Sequence, residues 1–163
     1  ILDGGLSAWV DSGGELETGF TTVGLGDVTI THHDLYQGEL PTLTADRTAE
    51  LAGPLLDARA PERFRGEREP VDPVAGHIPG ARNTPSTSVL TVDGTFRTDG
   101  ELQEFFTDRG VDASTGAGAY CGSGVTAAVL IAALQIIGIE AQLFPGSWSQ
   151  WCAEPDRPVA KGD

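Results

Sequence analysis

The run from Thr126 to Ile137 constrains the fold of this chain more than any other stretch. Its residues are apolar on every face of a helix apart from Thr126 and Gln135. It is too apolar for a surface helix and too short to cross a bilayer, which takes about 20 residues. It must therefore be covered by other elements of the same fold. Ala117 to Tyr120 precedes it as a short strand of small residues, and Ala141 to Phe144 follows Gly138 as the next strand. Strands alternating with helices predict an α/β class: a central parallel sheet with helices on both faces.

The alternation extends upstream. Thr44 to Leu51 reads as a helix, Pro54 to Ala58 as a strand and Pro61 to Arg65 as a helical turn. Gly66 to Gly76 is a proline-rich charged loop, after which Ile78 to Asn83 re-enters the sheet. Thr91 to Thr98, centred on Asp93-Gly94, carries a hairpin signal. Thr98-Asp99-Gly100-Glu101 fits a capping box that opens a helix through Phe106, ended by Gly110. Before residue 40 the regularity fades. Leu6 to Asp11 reads as a short helix stopped by Ser12-Gly13-Gly14, and Glu15 to Gly26 as a Thr- and Gly-rich linker. Val28 to Ile30 reads as a strand, and Tyr36 to Pro41 closes the connector. Gly4-Gly5-Leu6-Ser7-Ala8-Trp9 can be laid over Gly146-Ser147-Trp148-Ser149-Gln150-Trp151, each copy following a strand-like run (Ile1 to Asp3, Gln142 to Phe144). That repeat predicts two tandem copies of one fold, the first represented by its last elements.

With 163 residues the chain suits one compact domain and an appendage. Ten basic residues, of which Lys161 is the single lysine, face twenty-four acids, for a formal net charge of −14. This balance argues against nucleic acid or an anionic membrane surface as the main partner. It leaves room for a small anionic substrate where a local patch reverses the sign. A salt-rich source and a GC-rich genome account for the acidic, lysine-poor composition equally well. No run approaches the ~18 apolar residues of a membrane span. Methionine is absent, and Ile1-Leu2-Asp3-Gly4-Gly5 is neither a signal peptide nor a tag, so the chain reads as a segment that begins inside an earlier domain.

The chemistry is expected at Cys121. A cysteine at the carboxyl end of a parallel strand sits where open α/β sheets bind ligands. Gly122 and Gly124 let the backbone curl so that successive N–H groups turn inward as an anion-binding nest. The helix that follows adds unpaired N–H groups and the positive end of its dipole. Both favour thiolate over thiol, which makes Cys121 a nucleophile without a histidine partner. Cys152, after Trp151 and without a glycine nest, reads as a packing thiol. Two cysteines do not make a four-ligand zinc site, and His32 and His33 have no cysteine or carboxylate partners at metal spacing. No metal and no cofactor are assigned. His77, in Gly76-His77-Ile78-Pro79-Gly80, is read as bracing a turn rather than as catalytic.

The run Cys121-Gly122-Ser123-Gly124-Val125-Thr126 resembles the active-site loop of the rhodanese superfamily, on the side of its 3-mercaptopyruvate sulfurtransferases. Leu55-Leu56-Asp57-Ala58-Arg59, Arg63-Phe64, Gly76-His77-Ile78-Pro79-Gly80-Ala81 and Pro145-Gly146-Ser147-Trp148-Ser149-Gln150-Trp151 follow the family's order. The resemblance divides the chain into residues 1–20, like the tail of a preceding rhodanese domain, a linker over 21–39, and a catalytic rhodanese domain over 40–163. It implies that Cys121 takes sulfur from a small anionic donor as a persulfide, with Gly122, Gly124, Val125 and Thr126 forming the loop that holds it. The acceptor would be cyanide or a thiol such as thioredoxin. Ser123 either relays the donor's proton or merely fits the loop, and Thr126 caps the helix and braces the loop. Arg63 is the implied anchor for the donor's carboxylate. Arg59 reads as a structural ion-pair residue, Trp148 as lining the pocket or a domain interface, and Trp9 and Trp151 as core. A nucleophilic thiolate suits a reducing cytoplasm.

The donor can be argued from charge. Gly122 and Ser123 stand where the thiosulfate branch of the family places Arg and Lys. That favours 3-mercaptopyruvate, with one carboxylate, over dianionic thiosulfate. Against it, Val71 lies near the place of a second substrate arginine, which Arg68 or Arg82 would have to replace. Thiosulfate therefore stays open as the alternative donor, and a non-catalytic sulfur-carrier or interaction module as the alternative of another class. A cysteine phosphatase fits poorly, because its loop needs an arginine six positions after the cysteine, where this chain has Ala127.

Overall fold

A computed structural model describes residues 2–163. In chain order the elements are α1 (Gly5–Asp11), α2 (Ala45–Ala49), β1 (Leu55–Asp57), α3 (Pro61–Phe64), β2 (Arg82–Asn83), α4 (Asp99–Thr107), β3 (Ala117–Tyr120), α5 (Ala127–Ile136), β4 (Ala141–Leu143) and α6 (Ser147–Ala153). The four strands form one sheet in the order β2-β1-β3-β4, every pairing parallel. Leu56 faces Arg82 on one side and Ala119 on the other, which fixes the register at the centre of the sheet.

The strand period of two sorts the core into two layers. Leu56, Ala117 and Ala119 point to one face, where Leu130, Ala133 and Leu134 of α5 and Leu102 and Phe106 of α4 cover them. Leu55 and Tyr120 point to the other, against Leu43, Phe144, Trp148 and Trp151. Cys121 continues the alternation of Ala117 and Ala119 onto the α5 face and is buried there. α5 thus covers the sheet as its composition demands. The predicted capping box opens α4: Glu101 N–H donates to Thr98 Oγ1, and Thr98 N–H to Glu101 Oε2. His77 is structural. It stacks on Phe64 with ring centroids 3.7 Å apart, its Nδ1 lies 2.8 Å from the Phe64 carbonyl, and it pairs with Ala160 in an antiparallel bridge.

Several expectations are corrected. Val28 to Ile30 is not a strand: residues 15–40 contain no regular element, and Val28 and Ile30 are exposed with no strand beside them to pair with. The Thr91–Thr98 hairpin reduces to a turn with a single bridge between Leu90 and Phe96. Only Arg82–Asn83 of the segment from Ile78 joins the sheet, because Pro79 and Gly80 form a turn closed by Ala81 N–H on the Ile78 carbonyl. Trp9 is 46% exposed rather than core, since α1 buries none of its residues and the indole N–H bonds to Glu15 of its own loop. Of the repeat, the helical halves are present as α1 and α6. The strand-like run before α1 begins at Ile1, outside the described residues, while Leu2 and Asp3 are not in a strand. Among the described residues no helix is long and apolar enough to cross a membrane.

Two substitutions calibrate this packing. Leu134→Ala, in the fully buried face of α5, is expected to cost about 2–5 kcal/mol through lost burial and a cavity. Thr98→Ala, which removes only the cap of α4, is expected to cost about 1 kcal/mol. Urea-unfolding midpoints of the two variants against the parent check the ranking.

Candidate active site

β3 ends at Tyr120, whose carbonyl accepts the Ala58 N–H at 2.8 Å, and the next residue leaves the sheet. The loop from Cys121 to Thr126 then turns back over its own first side chain. Gly124 makes the turn possible: its φ is +83°, and a Cβ there would lie 2.6 Å from the Pro145 carbonyl oxygen. A side chain at this position would be strained by the backbone and blocked by its neighbour. Hydrogen bonding from the Thr126 hydroxyl and from the Ala127, Ser123 and Thr126 N–H groups of this folded loop favours the charged form of the Cys121 thiol.

Burial alone pushes the Cys121 thiol up, because a charge in an apolar layer loses its hydration. The hydrogen bonds to sulfur outweigh that penalty, and the net shift is downward from the ordinary thiol value of 9.0. That downward direction is the one a nest of N–H groups at this loop would give. One detail differs: Thr126 does not cap α5 with its side chain, because its own backbone is already helical (φ −75°, ψ −22°) where a capping residue is extended. Cys152 behaves oppositely. Burial first, then the negative charge of Asp72, pushes its thiol up, and its Sγ lies 3.8 Å from the Ser149 carbonyl. Both cysteines are free.

A second segment, unassigned by sequence reasoning, holds the Cys121 backbone. Ser147 Oγ accepts the Cys121 N–H at 3.1 Å and donates to the Phe144 carbonyl at 2.9 Å. The Trp148 and Ser149 N–H groups bond the carbonyls of Cys121 and Gly122, each at 3.0 Å. Ser147 takes a φ of +53° to do so, an uncommon state for a residue other than glycine. The signal available in the sequence was the Gly146-Ser147-Trp148 motif itself. Trp148 does not line the pocket. It is fully buried, donates its indole N–H to Val74, and lies under the Arg59 guanidinium at 4.7 Å.

A pocket of about 310 Å³ opens over the loop, lined by Gly122 and Thr126 and by Arg59, Arg63, Ser86 and Thr87 among others. Arg63, the donor anchor implied by the resemblance, lines this pocket. Its Nη1 approaches Gly122 so closely that a Cβ there would lie 3.3 Å away. Its other edge is occupied, with Nη2 2.6 Å from Glu69 Oε1 and Nε 3.3 Å from Glu69 Oε2. Glu69 also receives the N–H groups of Val71 and Asp72 and an Arg59 contact at 3.3 Å. Burial raises its carboxyl, but the Arg63 and backbone bonds more than reverse this and hold it below the ordinary carboxylate value. Arg59 is paired with buried Asp57 through Nε and Nη2, so it is the structural ion-pair residue expected.

The pocket brings Gly122, Thr126 and Arg63 together, while Cys121, 2% exposed, and Gly124 belong to the same loop without lining it. Ser123 and Val125 lie on the exposed outer rim, Ser123 contributing its N–H inward and Val125 pointing to solvent. Arg82 does not reach the pocket, because its guanidinium bonds the Arg109 carbonyl. Arg68 is exposed and outside the lining, and Val71 is exposed. Glu69 went unrecognised because only the folded loop carries it back to Arg63.

Known proteins are similar to this chain in sequence and in fold. A Mycobacterium tuberculosis protein named "Putative thiosulfate sulfurtransferase SseB" is 57% identical over 162 residues, covering 99% of this chain and 57% of its own length. A Pseudomonas aeruginosa protein named "Probable 3-mercaptopyruvate sulfurtransferase" is 44% identical over 175 residues, covering 100% of this chain and 58% of its own. The chain thus spans somewhat over half the length of these curated relatives. Among solved structures, an anaerobic ergothioneine biosynthesis enzyme from Chlorobium limicola superposes with a TM-score of 0.80 at 21% identity, covering 99% of this chain and 41% of its own, a likeness of fold. Residues 40–154 match the family described as the rhodanese-like domain. With the parallel sheet, the loop after β3 and that match in agreement, the chain belongs to the rhodanese-like family.

Proposed function

We propose that this chain is the sulfur-transferring part of a sulfurtransferase, with Cys121 as nucleophile and 3-mercaptopyruvate as donor. The position of Cys121 at the carboxyl end of β3, in a loop turned by Gly124 beside the pocket that Arg63 lines, carries this reading, and the downward shift of its thiol supports it. A thiolate so stabilised attacks the donor's sulfur. The donor's carbon–sulfur bond breaks, its electron pair leaves on carbon as the enolate of pyruvate, and a proton returns that enolate to pyruvate. Cys121 is left as a persulfide whose terminal sulfur the loop N–H groups face. A thiol such as thioredoxin, or cyanide, then takes that sulfur and regenerates the thiolate. Ser123, exposed at the rim, either passes on the donor's thiol proton or merely fits the loop. A thiol that must stay reduced between turnovers suits a cytoplasmic setting.

The relatives carry the names of both donors, so the choice rests on residues. Gly122 and Ser123 put no cation in the loop, and Arg63 offers one free edge, Nη1, to an anion. That suits a single carboxylate. The exposed Val71 leaves the proline-rich loop without a second arginine at that place, which keeps thiosulfate as the second reading.

Incubation with each donor followed by intact-mass measurement is expected to show a gain of one sulfur that Cys121→Ser abolishes. No gain from either donor sinks the enzymatic reading, and a large preference for thiosulfate in thiocyanate production with cyanide sinks the choice of donor. Cys121→Ser is expected to leave the thermal midpoint nearly unchanged, while Cys152→Ser keeps turnover. The alkylation rate of Cys121 should rise with pH as the thiolate forms, with a midpoint below the ordinary 9.0. Thr126→Val removes a hydrogen bond to a charged sulfur and should raise that midpoint by about one pH unit.

A further inference from the structure

Arg63 is held by more negative charge than its placement requires. Glu69, only 4% exposed, already engages Nε and Nη2 of the guanidinium and links it to Arg59. A second carboxylate lies behind it: Asp72 Oδ2 is 3.5 Å from Arg63 Nη2, its side chain 8% exposed, and this oxygen has no hydrogen-bond partner. The Asp72 N–H donates to Glu69 Oε1, which ties the backbone of the loop at Asp72 to the Glu69 carboxylate. Two arginines, Arg59 and Arg63, thus face three carboxylates, Asp57, Glu69 and Asp72. Glu69 orients the guanidinium. Asp72 adds nothing to that orientation that Glu69 does not already supply, and its remaining effect is its field on the cation.

We infer that Asp72 is a specificity-determining residue: its buried carboxylate offsets the Arg63 charge and biases the donor site toward anions of one charge over anions of two. This inference rests on the sulfurtransferase reading for its substrates, and its physics is simple. A donor anchored on the free Nη1 edge sits in the potential of the whole cluster, and its interaction scales with its own charge. The same carboxylate therefore penalises a dianion about twice as much in energy as a monoanion. A second thiol feels that field as well, since Asp72 is among the groups that push Cys152 up.

Asp72→Asn removes the charge at nearly constant volume. It is expected to raise kcat/KM about threefold for 3-mercaptopyruvate and about tenfold for thiosulfate, the squared ratio that a charge effect demands. Both gains should shrink as salt rises. Asp72→Ser, which also removes the charge, should repeat the pattern. An equal change for both donors, or a loss for both, overturns the inference, because a structural role would not distinguish donor charge. If the parent protein transfers sulfur from neither donor, the sulfurtransferase reading fails separately. The inference is then decided by protection of Cys121 from iodoacetamide. Asp72→Asn must strengthen protection by sulfate more than protection by pyruvate, and equal strengthening overturns it.

Discussion

The sulfur of Cys121 is buried against the sheet, yet hydrogen bonding within its own loop lowers the thiol, and neighbouring segments hold that loop in place. Burial comes from the pleat of β3, which sends Ala117, Ala119 and Cys121 to the face covered by α5. Left there alone, the thiol would resist ionisation, because an apolar layer disfavours the charged form. The donors come from the same chain a few residues later, and only a very tight turn lets them reach back. Gly124 and the Pro145 carbonyl define that turn from inside and outside, while Ser147, Trp148 and Ser149 anchor the backbone of Cys121 and Gly122 from the next crossover. The strain at Ser147 belongs to the same account. A positive φ there is retained because it points the hydroxyl at the Cys121 N–H while satisfying the Phe144 carbonyl.

A second line of interactions runs from the sheet to the pocket wall. Asp57 at the end of β1 holds Arg59, Arg59 touches Glu69, and Glu69 holds Arg63 beside Gly122. Each member is fixed by more than its charge. Arg59 also bonds the Gly76 carbonyl and packs over Trp148, and Glu69 accepts two backbone N–H groups. Buried ion pairs of this kind recover their desolvation cost poorly and add little net stability. What they supply here is position, since a long flexible guanidinium is held with one edge turned to the loop.

The parts legible in the sequence are those whose causes are local. The cap at Thr98, the glycines of the Cys121 loop and the apolar α5 each follow from neighbours within a few positions, and each appears where the residues indicate. Ser147, Glu69 and Asp72 were not legible, because their partners are brought to them by a crossover or by the fold of a proline-rich loop. The two tryptophans of the repeat motif show the same limit from the other side. Trp151 and Trp9 occupy the same place in the two copies, yet one is buried in the core at 1% exposure and the other is half-exposed on its own loop. A motif specifies what a helix can bury, and the sheet beside it decides whether anything is there to bury it against.

The strongly acidic composition takes on a local meaning at this site. Averaged over the chain it only disfavours anionic partners, and a donor site could escape it by clustering its few cations. Arg59 and Arg63 do cluster, but Asp57, Glu69 and Asp72 come with them, so the acidic bias persists to within a few ångströms of the pocket. The Cys121 thiol is lowered by hydrogen bonding within its own loop, whereas the Arg63 charge is shared with Glu69 and Asp72. If a donor is held on Arg63 as proposed, its preference is open to change through residues of the proline-rich loop that leave the Cys121 loop untouched.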